Sequence, residues 1–154
     1  MLNILDLATT YNRGILVEDK QPKSIAKAFQ EGWLSWASTP TKIVIDQGTE
    51  FKKEFAALSI ELGIQTRVAA LESPWHIGMV ERHGGVLGDI IHATVQETKA
   101  KGFEELQQVV LQSSNAKNRR PGRTGYSPRN LVFGKDARLT AAGLSHCLEK
   151  PDAA

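Results

Sequence analysis

Two acidic residues stand where carboxylates commonly do chemistry. Asp46 ends the β-branched run Ile43-Val44-Ile45, and Glu81 lies in the first turns of a helical pattern that begins near Met79. The segment between the two acids contains 34 residues. Carboxylates from a strand end and a helix start can converge on a divalent cation, because Mg²⁺ binds a few hard oxygen ligands and leaves its other positions to water and phosphate. One interpretation of the pair is therefore a metal site.

The same two acids also have a structural interpretation. A carboxylate after a strand can cap a turn, and a carboxylate in the first turn of a helix interacts favourably with the helix dipole. Spacing alone leaves both interpretations of Asp46 and Glu81 open.

Apolar periodicity predicts the elements that would position these acids. Strands are expected over residues 2–7, 14–17, 43–45 and 64–68, and the first two are expected to form a hairpin with its turn at Asn12-Arg13-Gly14. Helices are expected from near Pro22 or Ser24 to near 38–40, then over 51–62 with Gly63 as a cap, 79–98, 103–118 and 128–133. Alternating strands and helices predict an α/β protein.

Composition excludes several classes of protein. A chain of 154 residues with 41% hydrophobic and 23% charged residues is typical of one folded domain and excludes collagen, coiled coil and general disorder. No apolar stretch is long enough for a membrane helix, and the first residues lack a signal-peptide pattern. The single cysteine, Cys147, excludes an internal disulfide, and the histidines match no common zinc-finger spacing. We expect a reducing compartment and no membrane association.

Charge is distributed unevenly along the chain. Residues 99–138 contain nine Lys or Arg against three acids, on a chain whose formal net charge is +2. A basic segment on a mildly acidic body is typical of proteins that bind phosphates, although an ordinary solvated surface has the same composition.

Three separated segments, IVIDQGTEF, SPWHIGMVER and GYSPRNLVFG, occur in this order. They closely resemble the catalytic core of retrovirus-like and retrotransposon integrases, which are polynucleotidyl transferases with a ribonuclease H-like fold. The resemblance covers roughly residues 2–138. It implies that Asp46 and Glu81 are the second and third catalytic acids and that both bind the metal, Mg²⁺ or Mn²⁺.

The chain departs from the family pattern at the first catalytic Asp, which lies on a strand upstream of a hairpin partner. The segment ILDLATTY resembles that partner, so Asp6 matches a commonly noncatalytic position and is expected to cap a strand end. We therefore expect a ribonuclease H-like mixed sheet flanked by helices but N-terminally truncated. The missing strand would lie between the hairpin and the strand ending at Asp46. Unpaired edges cost about 1–3 kcal/mol per buried polar group. We therefore expect poor solubility, or rescue by an oligomer, a partner segment or direct pairing of the flanking strands.

The resemblance implies a function in DNA integration, with DNA as partner and the chain as part of a retrotransposon polyprotein. Intact members process 3′ ends and join them to target DNA through two metal ions. With two acids, strand transfer is expected to be weak or absent. The residues expected to contact nucleic acid, by stacking or through phosphate, are Trp75, His76, Arg82, Lys117, Arg119, Arg120 and Arg123.

Residues 1–138 are predicted to form a partial core-like domain, and residues 139–154 a C-terminal tail. A noncatalytic nucleic-acid-binding or scaffold domain with the same fold is the alternative function. A homo-oligomer and the remainder of a polyprotein are alternative protein partners. The expected location is intracellular, and nuclear if the protein acts on chromosomal DNA.

Overall fold

Four short strands form two two-stranded sheets in the computed structural model, which describes residues 1–69, 74–122 and 124–134 and, for residues 74–77, the backbone alone. Strand β1 (Leu2–Leu5) pairs antiparallel with β2 (Asn12–Ile15). Strand β3 (Lys42–Ile45) pairs in parallel with β4 (Gln65–Val68). Within the described ranges no strand pairing joins β1 to β3. The hairpin and the parallel pair are therefore separate sheets.

Five α-helices connect and cover the strands in the described part of the chain. Helix α1 (Pro22–Phe29) continues into a π-helical turn (Gln30–Leu34), and a 3-10 turn (Thr49–Phe51) precedes α2 (Glu54–Glu61). The remaining helices are α3 (Pro74–Thr98), α4 (Gly102–Arg119) and α5 (Pro128–Phe133). This order confirms the α/β prediction. Of the helices described, none has both the length and the hydropathy needed to cross a bilayer.

The main core lies between the strands and the pair of helices α1 and α2. Its buried members come from the apolar positions that recur at helical and strand spacing. They are Leu2, Ile25, Ala26, Ala28, Phe29, Phe55, Leu58 and Ile64. Ile4, Ile43 and Ile45 pack against this cluster from β1 and β3, so one face of both sheets is covered by the same helices.

Helices α3 and α4 pack against each other and cover the opposite side of the hairpin, with α3 against β1 and α4 against β2. Gly14 of β2 lies directly beneath them. A Cβ atom at this position would lie 3.0 Å from Val110 Cγ1 and 3.1 Å from Leu87 Cδ2. Gly14 therefore allows close packing of the two helices, which explains a glycine inside a strand.

The predicted hairpin turn at Asn12-Arg13-Gly14 is wrong, because those residues form β2. The turn lies at residues 6–11 instead. There the Asp6 carboxylate accepts hydrogen bonds from the backbone N–H groups of Ala8 and Thr9, at 3.3 and 3.2 Å. Asp6 thus stabilises the turn through its side chain, the mechanism by which Asp favours turns. The prediction that Asp6 caps a strand end is confirmed.

Helix α3 begins at Pro74, earlier than the predicted start near Met79. Trp75 and His76, expected in a loop, therefore have helical backbones, and their side chains lie outside the described residues. Proline is favoured in the first turn of a helix, where its missing N–H is not required. Gly78 within the helix reduces the apparent periodicity, which explains the late predicted start.

The first helix was expected to reach residues 38–40, but α1 ends at Phe29 and its π-helical continuation ends at Leu34, so this boundary is wrong. The predicted ends of α2 and α5 agree with the structure. Gly63 follows α2 with φ +67°, the left-handed conformation that favours glycine after a helix. Helix α5 has the predicted bounds. At its start the Asn130 N–H donates to Ser127 Oγ at 3.1 Å, and the Ser127 N–H donates to Asn130 Oδ1 at 3.0 Å. These two hydrogen bonds cap the start of α5, which explains why Ser127 and Asn130 occur at this spacing.

Three aromatic residues at the end of α1 and just after it differ in burial. Phe29 is buried and Trp33 packs against the core, whereas Trp36 remains 38% exposed. The Trp36 ring lies 5.2 Å from that of Tyr11 and 5.8 Å from that of Phe133. Trp36 thus joins the hairpin to α5, at contact distances typical of aromatic pairs.

The outer edge of β2 is closed by polar side chains of α4. The Asn12 N–H donates to Asn118 Oδ1 at 2.9 Å, and Asn118 Nδ2 donates to the Asn12 carbonyl at 2.8 Å. The Gly14 N–H donates to Ser114 Oγ at 3.1 Å. Asn12, Ser114 and Asn118 are almost completely buried. These side chains satisfy backbone groups that an open strand edge would otherwise leave unpaired.

Replacing the side chain that closes this edge is expected to destabilise the fold. In the Asn118→Ala variant the buried N–H and C=O of Asn12 lose both partners, so the free energy of unfolding should fall by about 2–4 kcal/mol. Chemical denaturation measures this change. The matched control is Gln112→Ala at an exposed position of α4, for which about 0.5 kcal/mol or less is expected. Equal losses in both variants would contradict the role of Asn118.

Candidate metal and nucleic-acid site

Asp46 and Glu81 line the same groove, although they come from different elements. Asp46 is the first residue after β3, and Glu81 lies in the second turn of α3. The groove runs between β1 and β3, has a volume of about 610 Å³, and is called the strand groove below. Both acids are exposed. Two carboxylates thus reach one solvent-filled space.

Local backbone geometry fixes the position of Asp46. The Gly48 N–H donates to Asp46 Oδ1 at 3.0 Å. A Cβ atom on Gly48 would lie 2.9 Å from that same oxygen and even closer to the carboxylate of Glu50. Gly48 therefore leaves room for two neighbouring carboxylates. Glu50 was not predicted from the sequence, because its proximity to Asp46 depends on the turn at Gly48 rather than on a sequence motif.

Asp6 also lines the strand groove. Its carboxylate is engaged by backbone N–H groups of its own turn and by the Thr9 hydroxyl. In the described ranges, no group of three His, Cys, Asp or Glu side chains is arranged to hold a metal ion. Asp6 is therefore a structural residue in this conformation, and the groove has two candidate metal ligands, Asp46 and Glu81.

Lys117 and His83 form a polar pair between α3 and α4. Lys117 Nζ lies 2.9 Å from His83 Nδ1, and only 6% of the Lys117 residue is exposed. Burial lowers the pKa of Lys117 to about 8. Burial lowers the pKa of His83 as well, with further contributions from the charges of Lys117 and Arg82. Lys117 thus packs between helices in this structure, and a phosphate contact would require it to leave His83.

The other predicted nucleic-acid residues occupy different places. Arg82, Arg119 and Arg120 are exposed, and the last two lie at the C-terminal end of α4. Arg123 lies outside the described residues, as do the side chains of Trp75 and His76. Arg119 and Arg120 are therefore well placed to meet an anionic surface, while Arg82 lies beside Glu81 in the chain.

Comparisons with known proteins address the fold. No protein-family model matches the chain, and no curated protein matches it in sequence. Among solved structures, the chain is similar to the crystal structure of the catalytic core domain of BIV integrase, with a TM-score of 0.71. The match covers 86% of this chain and 84% of that chain at 18% sequence identity.

This similarity establishes the class of fold. The chain has a mixed α/β, ribonuclease H-like fold of the kind found in integrase cores, as the sequence predicted. An identity of 18% is evidence for the arrangement of helices and strands and does not extend to activity. Function therefore has to be argued from the residues of this chain.

The buried pair predicts a specific pH dependence of stability. An ordinary Lys has a pKa of 10.5, so between about pH 8 and 10.5 the unfolded chain binds more protons at Lys117 than the folded chain does. The free energy of unfolding should therefore rise with pH in this window. His83, with a lowered pKa, should remove stability as the pH falls through its ordinary value of 6.5. Urea denaturation at several pH values measures both effects.

The Lys117→Met variant separates the alkaline effect from other titrations, because it keeps an extended apolar side chain without the amine. Its free energy of unfolding should rise less between pH 8 and 10 than that of the native chain. Lys23→Met, at an exposed position of α1, is the control and should follow the native curve. Identical pH dependence of the native and Lys117→Met proteins would show that the amine is not desolvated.

Proposed function

We propose that this chain is an integrase core-like domain that binds DNA and a divalent cation, and that belongs to a DNA-integration protein of a retrotransposon. The observation that carries the proposal is the convergence of Asp46 and Glu81 on one groove of a ribonuclease H-like fold. In the sequence these two acids match the second and third acids of the integrase motif.

The donor set fits Mg²⁺ or Mn²⁺. Both candidate ligands are carboxylates, the hard oxygen donors that these cations prefer, and both are accessible to water that would complete the coordination. When bound, such an ion would polarise a phosphodiester and stabilise charge on its oxygens. Asp46 and Glu81 would hold the ion, and Gly48 would keep the Asp46 carboxylate oriented through its N–H.

Basic residues support a phosphate-rich partner. Arg119 and Arg120 extend from the end of α4, and Arg82 follows the candidate ligand Glu81 directly. Guanidinium groups suit phosphate because they donate paired hydrogen bonds and stay charged. We assign phosphate contacts to these three residues first, and to Lys117 and Arg123 in addition. Trp75 and His76 are proposed as base-contacting residues.

Two acids are fewer than the three that support a two-metal reaction, so the proposed activity is impaired. A single, loosely held ion is expected, and strand transfer by the chain alone should be weak or absent. The alternative, a noncatalytic nucleic-acid-binding or scaffold domain, shares the DNA contacts but requires no metal at Asp46 and Glu81.

The test measures Mn²⁺ binding by calorimetry and the joining of labelled DNA ends in the same preparations. The native chain should bind about one Mn²⁺ ion. Asp46→Asn and Glu81→Gln should each lower the affinity by at least about tenfold, because each removes one of two charged ligands. Any DNA joining should fall to background in Asp46→Asn.

Matched controls are Asp89→Asn and Glu97→Gln, which alter exposed acids elsewhere on α3. Both should retain native Mn²⁺ affinity. The noncatalytic alternative would be favoured by two results together. The native chain would bind no Mn²⁺, and the Asp46→Asn variant would still bind DNA. Failure of the native chain to bind DNA at low salt would overturn the proposal, because phosphate contacts are strongest under that condition.

A further inference from the structure

Two large aromatic side chains remain exposed where the end of the β1–β2 hairpin meets α5. The centroid of the Trp36 ring lies 5.2 Å from that of Tyr11 and 5.8 Å from that of Phe133. Tyr11 is buried, whereas Trp36 and Phe133 are 38% and 43% exposed. Neighbouring exposed rings of this size are typical of a binding surface. Trp36 and Phe133 are called the aromatic surface below.

Contacts within the chain hold both rings of the aromatic surface in place. Trp36 Nε1 donates to the Gly32 carbonyl at 2.9 Å, which fixes the indole ring relative to the π-helical turn. Phe133 is the last residue of α5, a helix whose start is capped by Ser127 and Asn130. A ring that is already fixed loses little conformational freedom when a ligand stacks on it. The aromatic surface is therefore organised before binding.

The segment that contributes Phe133 is strongly basic. Residues 106–134 contain five Lys or Arg and no Asp or Glu. The Arg129 guanidinium lies 5.2 Å from the centroid of the Phe133 ring, a cation–π contact. Among the residues that the structure describes, Arg129 forms no ion pair and its Nε has no hydrogen-bond acceptor. The guanidinium is thus held beside the ring without an acid to neutralise it.

Two further arginines lie at the same end of the hairpin. Asn118 bonds to both backbone groups of Asn12, the residue that follows Tyr11. Arg119 and Arg120 come directly after Asn118, and both are exposed. The end of α4 therefore brings two more positive charges close to the strand that carries Tyr11, beside the aromatic surface.

Rings flanked by arginines suit the unpaired bases of a nucleic-acid strand. Each base has a face that stacks on an aromatic ring, and the phosphates between the bases bind guanidinium groups. In a duplex the bases stack on each other, so their faces are not accessible along its length. The combination of rings and positive charge consequently favours a single strand over a duplex.

The aromatic surface also adjoins the strand groove. Trp33 lines the groove, and its ring lies 5.1 Å from that of Trp36. On the hairpin side, Asp6 lines the groove and its N–H donates to the Tyr11 carbonyl. A strand stacked on Trp36 would therefore lie beside the groove that contains the candidate metal ligands.

We propose that Trp36 and Phe133 stack on unpaired bases of a single DNA strand, while Arg129, Arg119 and Arg120 contact its phosphates. This proposal rests on the proposed function, in which DNA is the partner, and it specifies the form of DNA that this surface binds. The aromatic surface is a binding surface outside the candidate metal site, so its binding requires no divalent cation.

The probe is a fluorescein-labelled oligothymidylate of about 12 nucleotides, within the usual range for single-strand sites. Its control is an abasic strand of the same length, which has the same phosphates and no bases. Fluorescence anisotropy is measured with EDTA present, so that no divalent cation contributes. The native chain should bind the oligothymidylate about tenfold or more tightly than the abasic strand, because only the former can stack.

Variants of the aromatic surface test the same contact from the protein side. Trp36→Ala should lower the affinity for the oligothymidylate about tenfold and leave that for the abasic strand within about twofold. Trp36→Phe keeps a ring and should stay within about threefold of the native affinity. Phe133→Leu, which keeps an apolar side chain without a ring, should lower the affinity about fivefold.

The matched control is Ile60→Ala, which removes an exposed apolar side chain from α2 and should retain native affinity for both strands. Should Trp36→Ala fail to fold, the comparison of oligothymidylate with the abasic strand on the native chain still decides the question.

The outcomes separate this proposal from the proposed function. A native chain that binds Mn²⁺ and duplex DNA, but binds the oligothymidylate and the abasic strand equally, would overturn the role of the aromatic surface alone. A native chain that binds no form of DNA at low salt would overturn both proposals. Self-association that is lost in Trp36→Ala, with unchanged affinity for the oligothymidylate, would make a second copy of the chain the occupant and would also overturn this proposal.

Discussion

The hydrogen bonds between Asn118 and the backbone of Asn12 hold together the parts of the structure on which the site depends. They fix α4 against the outer edge of β2, with Ser114 adding a third bond at Gly14. Because α4 packs against α3, these bonds also set the position of the helix that carries Glu81. A buried polar interaction of this kind is directional, so it specifies one register of helix on strand where apolar packing alone would allow sliding.

The second determinant is the pair of helices on the other side of the sheets. Helices α1 and α2 bury one continuous apolar cluster against both β1 and β3. This packing keeps the two sheets in place although no strand pairing joins them within the described part of the chain. Asp46 is consequently presented at the end of a strand held by side-chain packing and by a single parallel partner. The candidate site thus combines an acid that follows a strand with an acid on a helix.

Sequence periodicity correctly predicted the elements that have a strong repeating pattern. It gave wrong predictions for residues whose main contacts are with residues far away in the chain. The bounds of α5 and the end of α3 follow from local caps and spacing. Asn12 and Gly14 have the composition of a turn, yet Asn12 bonds to a residue 106 positions away and Gly14 lies beneath two helices. Lys117 likewise belongs to a basic segment in the sequence, whereas in the fold it is buried against His83. Tertiary contacts of this type leave no periodic signal.

The sequence also predicted the candidate site only in part. Asp46 and Glu81 were selected from motifs, and both line one groove. Glu50 was not selected, because its approach to Asp46 depends on the absence of a side chain at Gly48. The central claim is that Asp46 and Glu81 share one cation, and a crystal soaked in Mn²⁺ tests it most directly. The account predicts one anomalous-scattering peak with oxygens of both carboxylates at about 2.0–2.2 Å. A peak that contacts neither acid, or one of them alone, would contradict it.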